Sequence, residues 1–187
     1  MTVIRPKLIL SPLQTVAPVD FEAVQSEIRK YLNVEVLPCE IDGIYGYATK
    51  EIMYLAQECP LGCWYHELFH LAMPILIKSA KVKIFDEGLA WLGYSQERES
   101  LFSAFYLSQS YNISTERLRM LVVEELLADA FEDFMNILYD TPYYLKNYPN
   151  IVHNMLDTSD DSTIWQFFCR IQCGDFAHLP KKGIFSP

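Results

Sequence analysis

The spacing of apolar residues along this chain changes character near residue 60. Before it, apolar positions come mostly in short runs with strand-like alternation. Lys7-Leu8-Ile9-Leu10 reads as a short strand, Val34-Glu35-Val36-Leu37 alternates as another, and residues 41–47 and 50–55 read as two β segments around a turn. One stretch differs: Val24, Ile28 and Leu32 recur every four residues, the period of a helix that opens at Asp20 or Phe21 and runs to about 32. After residue 60 the period is mainly helical, which predicts helices over 60–73, 87–94, 97–108, 115–138, 145–156 and 163–173. A small mixed sheet followed by helices is an α+β arrangement. With no repeat, no low-complexity run and no linker rich in Gly or Ser, a single domain over 1–187 is the simplest organisation.

Residues 59–77 contain one charged side chain, Glu67. Pro60 is tolerated in a first helical turn, whereas Pro74 removes the N–H that would bond the His70 carbonyl, so the predicted helix stops or kinks there. Glu67 belongs to His66-Glu67-Leu68-Phe69-His70, an H-E-x-x-H pattern. On a helix, residues four apart share a face, so both imidazoles can reach one metal ion with the carboxylate beside it. Neutral His nitrogens suit Zn²⁺, and a neighbouring carboxylate can take the proton of a zinc-bound water. The alternative is a pair of core histidines sharing a buried Glu as hydrogen-bond partner.

A catalytic zinc site takes three protein ligands and keeps one position open. Of the remaining histidines, His153 reads as a packed helix position and His178 as part of a solvated tail. Downstream carboxylates are better candidates. Glu125 shares an apolar stripe with Leu118, Leu121 and Val122 on the helix over 115–138, for which Ser114 is a suitable N-cap. Asp129 lies one turn further on, where it can accept the second N–H of a ligating His and fix its tautomer. Glu124 has equally apolar neighbours, and Asp129 breaks the tie in favour of Glu125. The alternative is a solvated acidic face shared with Glu132 and Asp133. Glu87 is the second candidate ligand: Asp86 would cap a new helix with Glu87 in its first turn, where it could equally complement the helix dipole.

These residues resemble the gluzincins, zinc metallopeptidases with H-E-x-x-H and a downstream Glu. The likeness is strongest to the catalytic domain of anthrax lethal factor and related phage and toxin zincins, whose third-ligand helix carries E-x-x-A-[DE]-x-F. Glu125-Leu126-Leu127-Ala128-Asp129-Ala130-Phe131 matches that signature, and Tyr144-Leu145-Lys146-Asn147-Tyr148-Pro149 extends the match. The resemblance covers roughly 41–156 and implies a zincin-like fold. It implies His66, His70 and Glu125 as zinc ligands, Glu67 as catalytic base and Asp129 behind a ligating His. It also implies that the strand before the motif helix, here 52–55, is a sheet edge that pairs with extended substrate. Two positions depart from it. Glu87-Gly88-x-Ala90 resembles the E-G-x-A of aminopeptidase-like gluzincins, and Leu118 stands where lethal factor has a tyrosine.

Composition narrows the partners. A formal net charge of −9 argues against general nucleic-acid binding, and Lys78, Lys81 and Lys83 read as a solvated loop. No stretch approaches a membrane span, and residues 1–10 lack a signal-peptide pattern, which predicts a cytoplasmic product. Five cysteines argue against a full disulfide framework and for reduced, mostly buried thiols. The spacing of Cys59 with Cys63 and of Cys169 with Cys173 leaves a four-thiolate structural zinc site as a lesser alternative.

The sequence therefore predicts a zinc-dependent metallopeptidase that hydrolyses peptide or protein substrates, with Glu67 as general base and Tyr106 or Tyr111 as candidate oxyanion donors. The rival reading is a zinc-bearing, non-catalytic binding or regulatory protein on the same scaffold. A metal-free His-Glu-His packing cluster is the third.

Overall fold

The computed structural model describes residues 3–6, 16–49, 51–89, 96–109, 113–147 and 162–178. Among the described residues, six strands run β1 (Val3–Pro6), β2 (Val16–Pro18), β3 (Glu35–Pro38), β4 (Ile44–Ala48), β5 (Ile52–Leu55) and β6 (Glu58–Pro60). The helices are α1 (Phe21–Ile28), α2 (Cys63–Ala72), α3 (Lys78–Leu89), α4 (Gln96–Gln109), α5 (Thr115–Tyr139), α6 (Thr141–Asn147) and α7 (Thr163–Gln172). The α+β class follows from this order. Among the described residues, no helix is long and apolar enough to cross a membrane.

The four-stranded sheet has the order β1-β4-β5-β3 and is mixed: β3 runs parallel to β5, while β4 is antiparallel to both β5 and β1. A second, two-stranded sheet pairs β2 with β6. This order corrects one expectation. Strand β5 is bonded on both sides, so it is not an edge and has no free main-chain groups to offer a substrate.

Sheet and helices share one apolar core. Met53 and Leu55 from the sheet meet Leu68 and Phe69 of α2, Leu127 and Phe131 of α5, and Phe168 and Ile171 of α7. Phe69, Phe131 and Phe168 are fully buried with ring centroids 5.1–6.1 Å apart. Truncating one such ring to Ala costs about 3–5 kcal/mol. Helix α2 is buried on nearly every side, Trp64 excepted, as expected of a helix without a polar face. That burial fixes the motif's backbone rather than leaving it on a mobile surface.

Several boundaries differ from the sequence reading. Pro60 ends β6 instead of entering the helix, and α2 starts at Cys63 after Gly62, which adopts φ 85°. Lys78, Lys81 and Lys83 lie on α3, not in a loop. Helix α3 continues through Asp86, so Glu87 sits in its last turn rather than the first turn of a new helix. Helix α6 begins at Thr141, while residues 148–156 lie outside the described residues, as does the strand predicted over 7–10. Strands β1, β2 and β6 are not among the predicted strands; they are three or four residues each, too short to show a period.

Candidate metal centre

Two long-range contacts build the site, one between α2 and α5 and one between α4 and α5. His66 and His70, one turn apart on α2, direct their Nε2 atoms at each other across 3.1 Å. Helix α5, capped at its start by Ser114 accepting from Arg117 N, carries Glu125 into the same space. Glu125 Oε2 lies 3.1 Å from His66 Nε2 and 3.9 Å from His70 Nε2. The opposite ring nitrogens are held by carboxylates: His66 Nδ1 lies 2.8 Å from Asp129 Oδ1, and His70 Nδ1 lies 3.2 Å from Glu124 Oε1. With each Nδ1–H donated in this way, both Nε2 lone pairs face inward.

This donor set fits a divalent metal ion. Two imidazole lone pairs facing one another repel unless a proton or a cation lies between them. Tetrahedral coordination at about 2.0–2.1 Å spaces ligand atoms about 3.3 Å apart, close to the separations observed. His66, His70 and Glu125 are thus placed to hold a metal ion, all three buried. The charge balance agrees with this. Glu67, Glu125, Asp129 and Glu132 are buried and Glu124 is partly so, which sets five carboxylates against two imidazoles. Burial penalises such an excess unless positive charge joins it.

The titration behaviour follows from the same contacts. Burial alone would raise the Glu125 pKa, but hydrogen bonds and charge from His66 and His70 outweigh it and hold the carboxyl far below its usual range. Burial would lower the His70 pKa, yet Glu124 and Glu125 push it up to about 10. Without a metal ion this imidazole carries a proton at neutral pH, and metal binding must displace it.

Glu67 is buried beside strand β4. A Cβ on Gly46 would lie 3.1 Å from Glu67 Oε1 and 2.8 Å from Tyr54 O, so only glycine lets β4 pass this close to the carboxylate. Tyr106, on α4, donates its hydroxyl to Glu125 Oε1. It therefore braces the candidate third ligand, and its own pKa rises through burial and the Glu125 charge.

Glu87 lies elsewhere. Its carboxylate accepts from Thr163 N (3.0 Å), Ile164 N (3.1 Å) and the Ser162 hydroxyl (3.0 Å), at the start of α7. Burial would raise its pKa, and these donors lower it overall. It complements a helix dipole, but that of α7 rather than one of its own. The E-G-x-A likeness has a packing cause at its glycine: a Cβ on Gly88 would meet Val123 Cγ1 at 2.7 Å, so glycine lets α3 lie close on α5.

The remaining candidates divide. His178 is exposed, while His153 and Tyr111 lie outside the described residues. The solvated acidic face is not formed, since Glu125, Asp129 and Glu132 are all buried. Cys59 and Cys63 form a disulfide joining β6 to the first turn of α2, which corrects the expectation of reduced thiols and removes the four-thiolate zinc site. Cys39 and Cys173 are free thiols, the first buried and the second exposed.

Sequence reasoning missed Glu124 as the partner of His70 and Glu132 as a buried acid grouped with His66 and Asp129. The spacing Glu125, Asp129, Glu132 is itself a one-face helical repeat and was the available signal. Compared with known proteins, the chain matches no family model, and no curated protein and no solved structure matches it either.

Proposed function

We propose that this chain is a zinc-dependent metallopeptidase of the gluzincin kind on a zincin-like fold, with peptides or proteins as substrates. The observation that supports this most is the convergence of His66 Nε2, His70 Nε2 and Glu125 Oε2, with a carboxylate behind each imidazole and Glu67 on the same helix. A zinc ion held there would supply Lewis acidity, activating water and polarising a carbonyl.

The chain's own groups do the rest. Asp129 and Glu124 hold the imidazoles in the tautomer that leaves Nε2 free. Tyr106 fixes the rotamer of Glu125. Glu67, excluded from bulk water, takes a proton from the attacking water as its oxygen bonds to the carbonyl carbon. The C–N bond then breaks, and the same carboxyl returns the proton to the leaving amine. One turnover consumes one water and one peptide bond and leaves the protein unchanged.

One observation favours the rival reading, a zinc-bearing binding protein. Tyr106 spends its hydroxyl on Glu125, so it is not free to stabilise an oxyanion. Cleavage of a peptide library by zinc-loaded chain separates the two. The hydrolase reading expects turnover that falls by about 10²–10⁴ in Glu67→Gln with zinc retained. No turnover by the unaltered, zinc-loaded chain contradicts it.

A further inference from the structure

The start of α2 is held differently from the starts of its neighbours. Asp20, Ser114 and Ser162 cap α1, α5 and α7 by accepting from a first-turn N–H. Gly62, at the same position of α2, has no side chain to do so. In place of a cap stands the Cys59–Cys63 disulfide, which ties the first residue of α2 to the middle of β6. The other restraints on this segment are slight. Strand β6 has three residues and pairs with the equally short β2. Asn136 Nδ2 reaches Leu61 O at 3.5 Å, long for a hydrogen bond.

The first turn of a helix has the fewest backbone bonds, and His66 comes at its end, three residues after Cys63. His70 lies a turn deeper. Cys59 and Cys63 are 2% and 1% exposed and belong to the same core as Leu68 and Phe69. Two thiols cannot stay at disulfide bonding distance, and a close-packed interior has no slack for their separation. Opening the bond must therefore move the backbone on one side of it. The β6 side is pinned only by short pairing, and the α2 side leads straight to His66.

We propose that the Cys59–Cys63 disulfide is a redox latch on the metal centre. Closed, it aligns His66 with Glu125 and Asp129; opened by a dithiol, it lets the first turn of α2 shift and weakens metal binding. In opening, the dithiol gives two electrons and two protons to the S–S bond and closes to its own disulfide, leaving two protein thiols. Linkage makes the effect reciprocal: if the closed latch tightens zinc binding, bound zinc favours the closed latch by the same factor. The latch rests on His66, His70 and Glu125 holding zinc, and is indifferent to whether the centre cleaves peptides.

The test compares zinc affinity, against a competing chelator, in the oxidised chain and in chain reduced with dithiothreitol and desalted under argon. Affinity falls by about tenfold on reduction. The chain carrying both Cys59→Ala and Cys63→Ala, with folding checked by circular dichroism, binds zinc as weakly as the reduced chain. A second measurement needs no substitution at the cysteines. The chain is equilibrated in a dithiothreitol redox buffer, with and without saturating zinc, and the bond is quantified by alkylation and mass mapping. Zinc shifts that equilibrium about tenfold toward the disulfide, and Glu125→Ala abolishes the shift. Equal zinc affinity in oxidised and reduced chain, or a thiol–disulfide equilibrium indifferent to zinc, overturns the latch and leaves the metal centre standing. Loss on reduction that the double alanine chain does not reproduce assigns the effect to the thiols themselves and also overturns it. Absence of zinc binding in both redox states sinks the metal centre, and the latch with it.

Discussion

Glu125 and Glu87 begin alike, as glutamates in helices that pack on the same core, and they end with opposite partners. Glu125 meets imidazole nitrogens and a phenol. Glu87 meets the unpaired N–H groups at the start of α7. Both carboxyls are held below their usual pKa, so a depressed value alone does not separate a candidate ligand from a helix cap. What separates them is whether the donors around the carboxylate can give up their protons to a metal ion. Imidazoles can; backbone amides cannot.

Three substitutions sharpen the contrast, and the first has the largest effect on metal binding. Asp129→Asn replaces the charged acceptor that sets the His66 tautomer with a neutral amide that can present a donor instead, and zinc affinity measured against a competing chelator falls by about 10–100-fold. Tyr106→Phe removes one hydrogen bond to Glu125, worth about 1 kcal/mol, and zinc affinity falls roughly fivefold in the same assay. An unchanged affinity would mean that Glu125 is held without Tyr106. Glu87→Gln leaves zinc affinity where it was and instead lowers stability at neutral pH by about 1–3 kcal/mol, read from denaturant melts. The sign of its pH dependence follows from a folded pKa below the unfolded one. The native carboxylate contributes fully above about 4.3, and that contribution is lost as pH falls through the lower folded value. The gap between native and variant must therefore close on acidification.

The parts of the molecule that were legible from sequence are those written in local periodicity. The helix carrying Glu125 shows its 3.6-residue stripe and its Ser114 cap, and both are present. The His66/His70 pairing follows from helix geometry alone. Partnerships between distant segments were not legible. Asp86 looked like a helix start because N-cap chemistry is local, but Ile84 and Gly88 are held against the core and α3 runs on through it. The Cys59–Cys63 disulfide was hidden because a spacing of four suggests one helix, whereas Gly62 turns the chain between a strand and a helix. Strand order is non-local, so neither the inner position of β5 nor the pairing of β1 with β4 is legible in local periodicity.

The central claim is that Glu125, and not Glu87, completes the His66/His70 metal centre. Zinc stoichiometry after stripping and reloading tests it most directly, in Glu125→Ala and Glu87→Ala chains whose folding is checked by circular dichroism. The expected result is about one zinc per chain in the native protein and in Glu87→Ala, with almost none in Glu125→Ala. A Glu125→Ala chain that still binds a full equivalent, or loss of zinc confined to Glu87→Ala, would contradict it.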